Sequence, residues 1–432
     1  MAARHLLGHT QPETGARLSR ESTILKFLIR AVTAGFMVAG LVQAGLAQAG
    51  DTPDPAKWPE VLAKAKGQTV YWHAWGGEPR INDYIAWVGR EVEDRFGVKL
   101  VHVKVNDTGA VVSQVLAEKT AGTVEGGSVD LIWINGENFA AMKREGLLLA
   151  QGWANKLPNF QYVDISGKPT VINDFTVPTD GLEAPWGMAQ LVFYNDTAIS
   201  NDMPKSMAEL LQWAQNNPGR FSYPQPPDYV GSTFLKQALY ELVGDPTVLQ
   251  QPADEADFDA VTAPLFAYLD QLHPAMWRSG RAFPQNTATL RQLLADGELE
   301  IGFAFNPSAA SNAIANNELP DTVRSFVLDK GTIGNTHFVA IPFNANAKAG
   351  AMVLANFLMS PEAQLRKQDP SVWGDPTVLD VTRLPAAEQS AFEALDLGIA
   401  TLGPSELGIV LPEPHSSWMV ALEKAWLARY GV

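Results

Sequence analysis

After a proline-rich start at residues 51–60, apolar and polar positions alternate between two periods along the chain. Thr69–Ala74 is rich in β-formers. From Ile81 the apolar residues fall at Tyr84, Ile85, Val88, Val92 and Phe96, one face of a helix. VKLVHVKV (98–105) alternates as a second strand, and residues 111–122 read as helix. VDLIWI (129–134) is the continuous apolar run of a strand buried on both faces. NFAAMKREG (138–146) predicts a short helix stopped by Gly146. Strand and helix in this order imply a parallel sheet with right-handed crossovers.

Leu182–Asn195 (LEAPWGMAQLVFYN) breaks the rhythm, an apolar strand after a long connection with no helix before it. Beyond it a second alternating unit begins. Ser206 and Glu209 fit a capping box opening a helix that ends at Asn217-Pro218-Gly219. Ser232 is read as the cap of a helix closed by Gly244. Residues 289–307 give helix, turn and buried strand, 337–345 strand, and 349–359 helix. Ser360-Pro361-Glu362 restarts a helix with a cap, a proline at its first position and an acid in its first turn. The tail, 416–431, predicts a capped amphipathic helix. Two α/β units joined by extended crossing segments suggest two lobes with a cleft between them. Open α/β sheets bind ligands beyond the carboxyl ends of their strands, so the loops there become the candidates.

Composition narrows the partners. With 47 acidic and 32 basic residues the net charge is −15, which argues against nucleic acid. The absence of cysteine excludes disulfides, thiolate metal sites and cysteine nucleophiles. Arg17, Arg20, Lys26 and Arg30 precede an apolar, small-residue run ending in Ala47-Gln48-Ala49, the pattern of a secretory signal cleaved near Ala49. A membrane anchor is the competing reading, but the run is short for a span. Export to the periplasm is therefore expected.

Four loops carry candidate ligand chemistry. At the first strand tip, Trp75 is followed by Gly76 and Gly77, which let the backbone approach a guest closely, and Pro79 suits the first position of the next helix. A turn with Trp72 in the core is the plainer reading. After the third strand come Asn135, Gly136, Glu137 and Asn138, readable as hydrogen-bonders for a solute or as ordinary caps. Tyr229, Gly231 and Ser232 mark another helix start, and Asn306 and Ser308 follow a buried strand. Together they suggest one polar and aromatic site.

Catalytic signals are thin. The histidines from His73 onward have no zinc spacing, and no G-x-S-x-G elbow, P-loop or S-x-x-K occurs. No enzyme activity, metal or cofactor is expected. The alternative is a secreted hydrolase acting on a glycoside or ester, whose carboxylates would meet across a cleft.

VDLIWINGENFAAMKREGLL, APWGMAQLVFYND, GELEIGFAFNP and LANFLMSPEAQLRK, in that order and spacing, resemble a type II periplasmic solute-binding protein of an ABC importer, YnjB-like subfamily. The resemblance covers essentially all the chain after the signal. It implies a two-lobed α/β fold, each lobe a mainly parallel sheet flanked by helices, with strands crossing around Leu182–Asn195 and near Asp321–Phe326. Lobe 1 would combine 50–187 with 323–367, and lobe 2 would combine 188–322 with 368–432. Trp75, Gly76, Gly77, Asn135 to Asn138, Trp186, Tyr229 to Ser232, Asn306, Asn335 and His337 would line the cleft. Hinge closure would create the form that an inner-membrane permease recognises, and a monomer is the expected state. The aromatic faces suit a cationic or neutral organic solute, such as a thiamine-like heterocycle, a polyamine or a sugar, ahead of a small oxyanion.

Overall fold

The computed structural model describes residues 52–150, 152–403 and 406–431, so the expected signal segment lies outside the described residues. Helix α1 (Trp58–Ala65) leads into β1 (Thr69–Trp75), whose Val70, Trp72 and Ala74 are fully buried while Tyr71 and Trp75 face outward. Helix α2 (Pro79–Phe96) has Pro79 in its first turn and buries Ile81, Tyr84, Ile85, Val88 and Val92. Then come β2 (Lys99–Val105), α3 (Thr108–Thr120), β3 (Leu131–Ile134) and α4 (Gly136–Arg144). A long connection holds three short 3-10 turns and the small hairpin β4 (Asn173–Asp174) and β5 (Val177–Pro178).

The apolar strand read at 182–195 is two strands, β6 (Glu183–Gln190) and β7 (Val192–Asp196), and the chain changes sheet at Leu191 between them. Next are α5 (Met207–Asn216), α6 (Tyr229–Leu242), α7 (Phe258–Leu272), α8 (Thr287–Ala295), β8 (Ile301–Ala304) and α9 (Ala309–Ala315). The second change of sheet lies between β9 (Val323–Phe326) and β10 (Thr332–Ala340). Helices α10 (Lys348–Leu358), α11 (Pro361–Gln368) and α12 (Ala386–Glu393), strand β11 (Val410–Leu411) and helix α13 (Ser416–Tyr430) complete the chain.

The first sheet runs β11-β10-β3-β1-β2, with β6 also on β10. β1 pairs in parallel with β2 and β3, but β10 runs antiparallel to both β3 and β6. The second sheet, β8-β7-β9, is antiparallel at both pairings. β10 also pairs in parallel with β11, so three of the first sheet's five pairings are parallel, and the expectation of a mainly parallel sheet in each lobe fails in the second sheet. Apart from the parallel β10–β11 pair, the strands that change sheet enter from the far side and oppose their neighbours, where a helical crossover would have aligned them. Apolar clusters cover the first sheet, one of them with α2 and α10, and a separate one joins the second sheet to α5–α8 and α13.

Three placements differ from the sequence reading. Val323–Phe326 belongs to the second sheet, and Trp373, Val378, Leu379, Leu384 and Phe392 pack in the first core. Ser232 is not a helix cap, because Asp228 accepts the Val230 and Gly231 N–H groups at 3.0 and 3.1 Å and starts α6 a turn earlier. The Ser206 and Ser360 caps form as expected, accepting from Glu209 and Ala363 at 3.2 Å.

Candidate functional site

Strand β10 carries Asn335 and His337 two residues apart, on one face, before its register shifts at Phe338. Each anchors a different cluster. Asn335, only 3% exposed, donates through Nδ2 to the Tyr229 hydroxyl at 2.6 Å and to Glu413 Oε1 at 3.2 Å. The Tyr229 hydroxyl in turn donates to Glu413 Oε1 at 2.9 Å.

At the centre of this cluster lies Lys236, one α6 turn beyond Ser232 and fully buried. Its Nζ sits 2.6 Å from Glu413 Oε2 and 5.0 and 5.1 Å from the ring centres of Phe175 and Tyr229. The geometry is an ion pair flanked by two aromatic faces. Ser232 Oγ donates to Glu423 Oε1 on α13 at 2.6 Å. Burial raises the Glu137 carboxyl above its ordinary range; Lys236 opposes this while Glu423 and Glu413 add to it. Burial likewise raises Glu423, with Ser232 and Lys236 opposing.

Asp174 closes the cluster from the β4 side. Its Oδ2 accepts the Gly136 N–H at 2.8 Å, and burial holds its carboxyl well above the usual range, with Glu137 and Glu413 adding to the rise. Phe175 and Thr176, which follow, have φ of 44° and 72°, a region that bulky and β-branched residues rarely enter. Such strain concentrates at ligand sites and turns. A cavity of about 280 Å³ opens here, lined by Thr170, Asp174, Phe175, Gln250, Asn335, Thr336 and Glu413 among others.

His337 anchors the second cluster. Its Nε2 lies 3.0 Å from Asp375 Oδ1, while Lys367 Nζ lies 2.5 Å from Asp375 Oδ2. Burial lowers the Lys367 ammonium, opposed by Asp375. Trp133 and Trp186 meet edge-on at 4.8 Å, and Trp373 stacks with His337 at an interplanar angle of 10°. Trp186 itself is fully buried in the first core.

The remaining expected residues are dispersed. Trp75 is 42% exposed and, among the described residues, shares no ring contact with either cluster. A Cβ on Gly77 would lie 2.4 Å from the Trp75 indole, so this glycine lets the ring fold over the loop; Gly76 faces Lys104. Asn135 holds the cap position of α4 without a capping bond, and Asn138 donates to Glu137 Oε1 at 2.9 Å. Gly231 has a packing reason, since a Cβ there would sit 2.0 Å from the Pro224 carbonyl oxygen. Asn306 Oδ1 accepts the Ser308 N–H at 2.9 Å and shapes the turn into α9.

Sequence reasoning missed Lys236, Glu413, Asp174, Phe175 and Glu423. Lys236 had a signal: it stands four and seven residues after Ser232 and Tyr229, on one helical face, within an apolar stretch. The others carry none.

Comparison with known proteins follows the same lines. The profile of the bacterial extracellular solute-binding protein family matches residues 87–389. The chain is 47% identical to Protein YnjB of Escherichia coli (strain K12) over 374 residues, 87% of this chain and 94% of that one. It resembles the periplasmic binding protein AfuA from Actinobacillus pleuropneumoniae, solved with fructose-6-phosphate, at a TM-score of 0.55 and 16% identity, covering 84% of this chain and 99% of that one. It also resembles the spermidine/putrescine ABC transporter substrate-binding protein PotD from Streptococcus pneumoniae, at a TM-score of 0.54 and 14% identity, covering 83% and 99%. At such identities the structural likeness speaks for the fold alone.

Proposed function

The chain belongs to the bacterial extracellular solute-binding protein family, whose members bind solutes for ABC transporters and are not enzymes, and from that premise we propose a specific mode of capture. The two cores act as two lobes, hinged where β6 passes into β7 and where β9 passes into β10. A small organic solute, cationic or neutral, is held between them by loops from both. Closure then forms the surface that an inner-membrane permease accepts, the protein working as a periplasmic monomer after cleavage near Ala49. The solute drives closure only by its extra affinity for the closed arrangement.

One observation carries this reading. Asn335, on a strand of the first sheet, shares Tyr229 and Glu413 with Lys236, on a helix of the second core. A carboxylate-rich surround with aromatic faces favours positive charge over an oxyanion. The structural relatives differ in solute, a sugar phosphate for AfuA and spermidine or putrescine for PotD, so the fold itself is neutral on the choice.

The experiment is thermal melting of the chain, unfolded and refolded to strip carried solute, against sugars, polyamines, thiamine and its phosphates, amino acids and oxyanions. A ligand at a hundred times its dissociation constant adds about 2.7 kcal/mol. One class raising the melting temperature, and recovered unchanged, supports the reading. A shift by an oxyanion class alone would overturn the charge assignment.

A further inference from the structure

Two residues that line the 280 Å³ cavity each hold a buried acceptor with nothing to accept. Asp174 and Asn335 both line it, 1% and 3% exposed. Asp174 spends Oδ2 on the Gly136 N–H, and Asn335 spends Nδ2 on Tyr229 and Glu413, but the Oδ1 atom of each has no hydrogen-bond partner. Buried acceptors of this kind are costly and uncommon in folded proteins. Two in one cavity ask for one donor-rich guest.

The charges point the same way. Asp174 and Glu413 line the cavity and, among the described residues, no lysine or arginine does. The nearby cation, Lys236, is already committed to Glu413 and to the faces of Phe175 and Tyr229. A guest at Asp174 therefore meets an unbalanced carboxyl. The volume suits a head group or a small molecule rather than a large ring system.

We propose that this cavity takes an organic cation bearing N–H groups, a primary ammonium or a guanidinium, with Asp174 Oδ1 and Asn335 Oδ1 as the acceptors of its protons. The proposal rests on the solute-binding reading and narrows it. A quaternary ammonium, or a heterocycle whose charged nitrogen carries no hydrogen, leaves both acceptors unpaired at the point of charge. A sugar supplies donors but leaves Asp174 without a counter-charge.

A proton is linked to this binding. Asp174 feels the charges of Glu137 and Glu413, is coupled to Glu183, which Lys143 in turn opposes, and holds the Gly136 N–H on its other oxygen. Burial and the neighbouring acids favour its protonated form, and an arriving cation favours the ionised one. Binding of the cation releases protons and strengthens as pH rises through the titration of Asp174.

The test is a matched series titrated calorimetrically into the full chain. The probes are butane-1,4-diammonium, 4-guanidinobutylammonium, the four-carbon chain with both nitrogens trimethylated, glucose and inorganic phosphate. The proposal expects the first two to bind at least tenfold more tightly than the trimethylated compound. It also expects Asp174→Asn, folded by its melting curve, to lose at least tenfold. Measured in buffers of different ionisation enthalpy, binding should release protons. Equal or tighter binding of the trimethylated compound overturns the N–H assignment while keeping a cationic solute. Binding of glucose or phosphate alone overturns the cation and keeps the solute-binding reading. No binding of any member by folded protein overturns the head-group assignment, and the wider melting panel then judges the function separately.

Discussion

Asn335 Nδ2 donates to the Tyr229 hydroxyl at 2.6 Å, which ties the strand returning to the first sheet to the opening turn of α6 in the second core. In the proposed capture, opening breaks this bond between the cores and a solute beside it reinforces it. Tyr229→Ala should weaken solute binding at least tenfold, about 1.4 kcal/mol. Trp75→Ala should do the same if its exposed ring closes over the guest. Equilibrium titration with the true solute decides; unchanged affinity in both variants rejects these two contacts.

Lys236 and Glu413 form a buried ion pair at 2.6 Å. Removing one partner strands the other charge, so Lys236→Met should cost about 3–5 kcal/mol. The double variant Lys236→Met/Glu413→Gln should recover much of that loss, because neither charge is left alone. Urea denaturation of the set measures both effects, and a double variant no more stable than the single one would show that packing, not charge, holds the site.

Glu183 is 1% exposed, and neither of its side-chain oxygens has a hydrogen-bond partner. Burial, with Asp174 adding and Lys143 opposing, raises its carboxyl well above the usual range. Below the unfolded value of 4.5 both states hold the proton; above it the unfolded chain gives the proton up first. Its contribution to stability therefore falls as pH rises toward the folded value. Glu183→Gln has no such loss, so it should melt higher than the parent at about pH 7, with the gap closing near pH 4. Melting curves across that range check the sign.

Arg80, in the first turn of α2, donates to the Pro370 carbonyl at 2.6 Å and to Asn316 Oδ1, just past α9, at 2.7 Å. It bridges elements of the two cores from a partly exposed position, where such contacts are worth about 1 kcal/mol or less. Arg80→Ala should leave the melting temperature nearly unchanged while speeding solute release severalfold in stopped-flow displacement. A release rate equal to the parent's would remove Arg80 from the closing contacts.

Much of the first sheet was legible because its strands and helices follow single periods: the faces of β1 and α2 are those the apolar spacing gives. Gln364 shows how the SPEAQ segment serves the fold, donating to the Trp186 carbonyl at 2.7 Å and accepting from Val378 N–H at 3.0 Å. Strand direction was not legible, since a chain that changes sheet at Leu191 looks like one long strand. The site was half legible. Loops at strand tips announce themselves by glycine and asparagine, which is how Glu137, Tyr229 and Ser232 entered the candidate set. Glu413 lies between prolines some 180 residues from Tyr229, and the pairing of β11 with β10 helps bring it there. Asp174 and Phe175 sit in a connection whose backbone strain leaves no mark on residue type.

The most direct test of capture between the two cores is hydrogen–deuterium exchange of the chain with and without saturating solute. The account predicts added protection together at residues 135–138, 229–236 and 335–337, drawn from both cores, with the segment around Glu413 following. Protection confined to one core, or lying away from these segments, would contradict it.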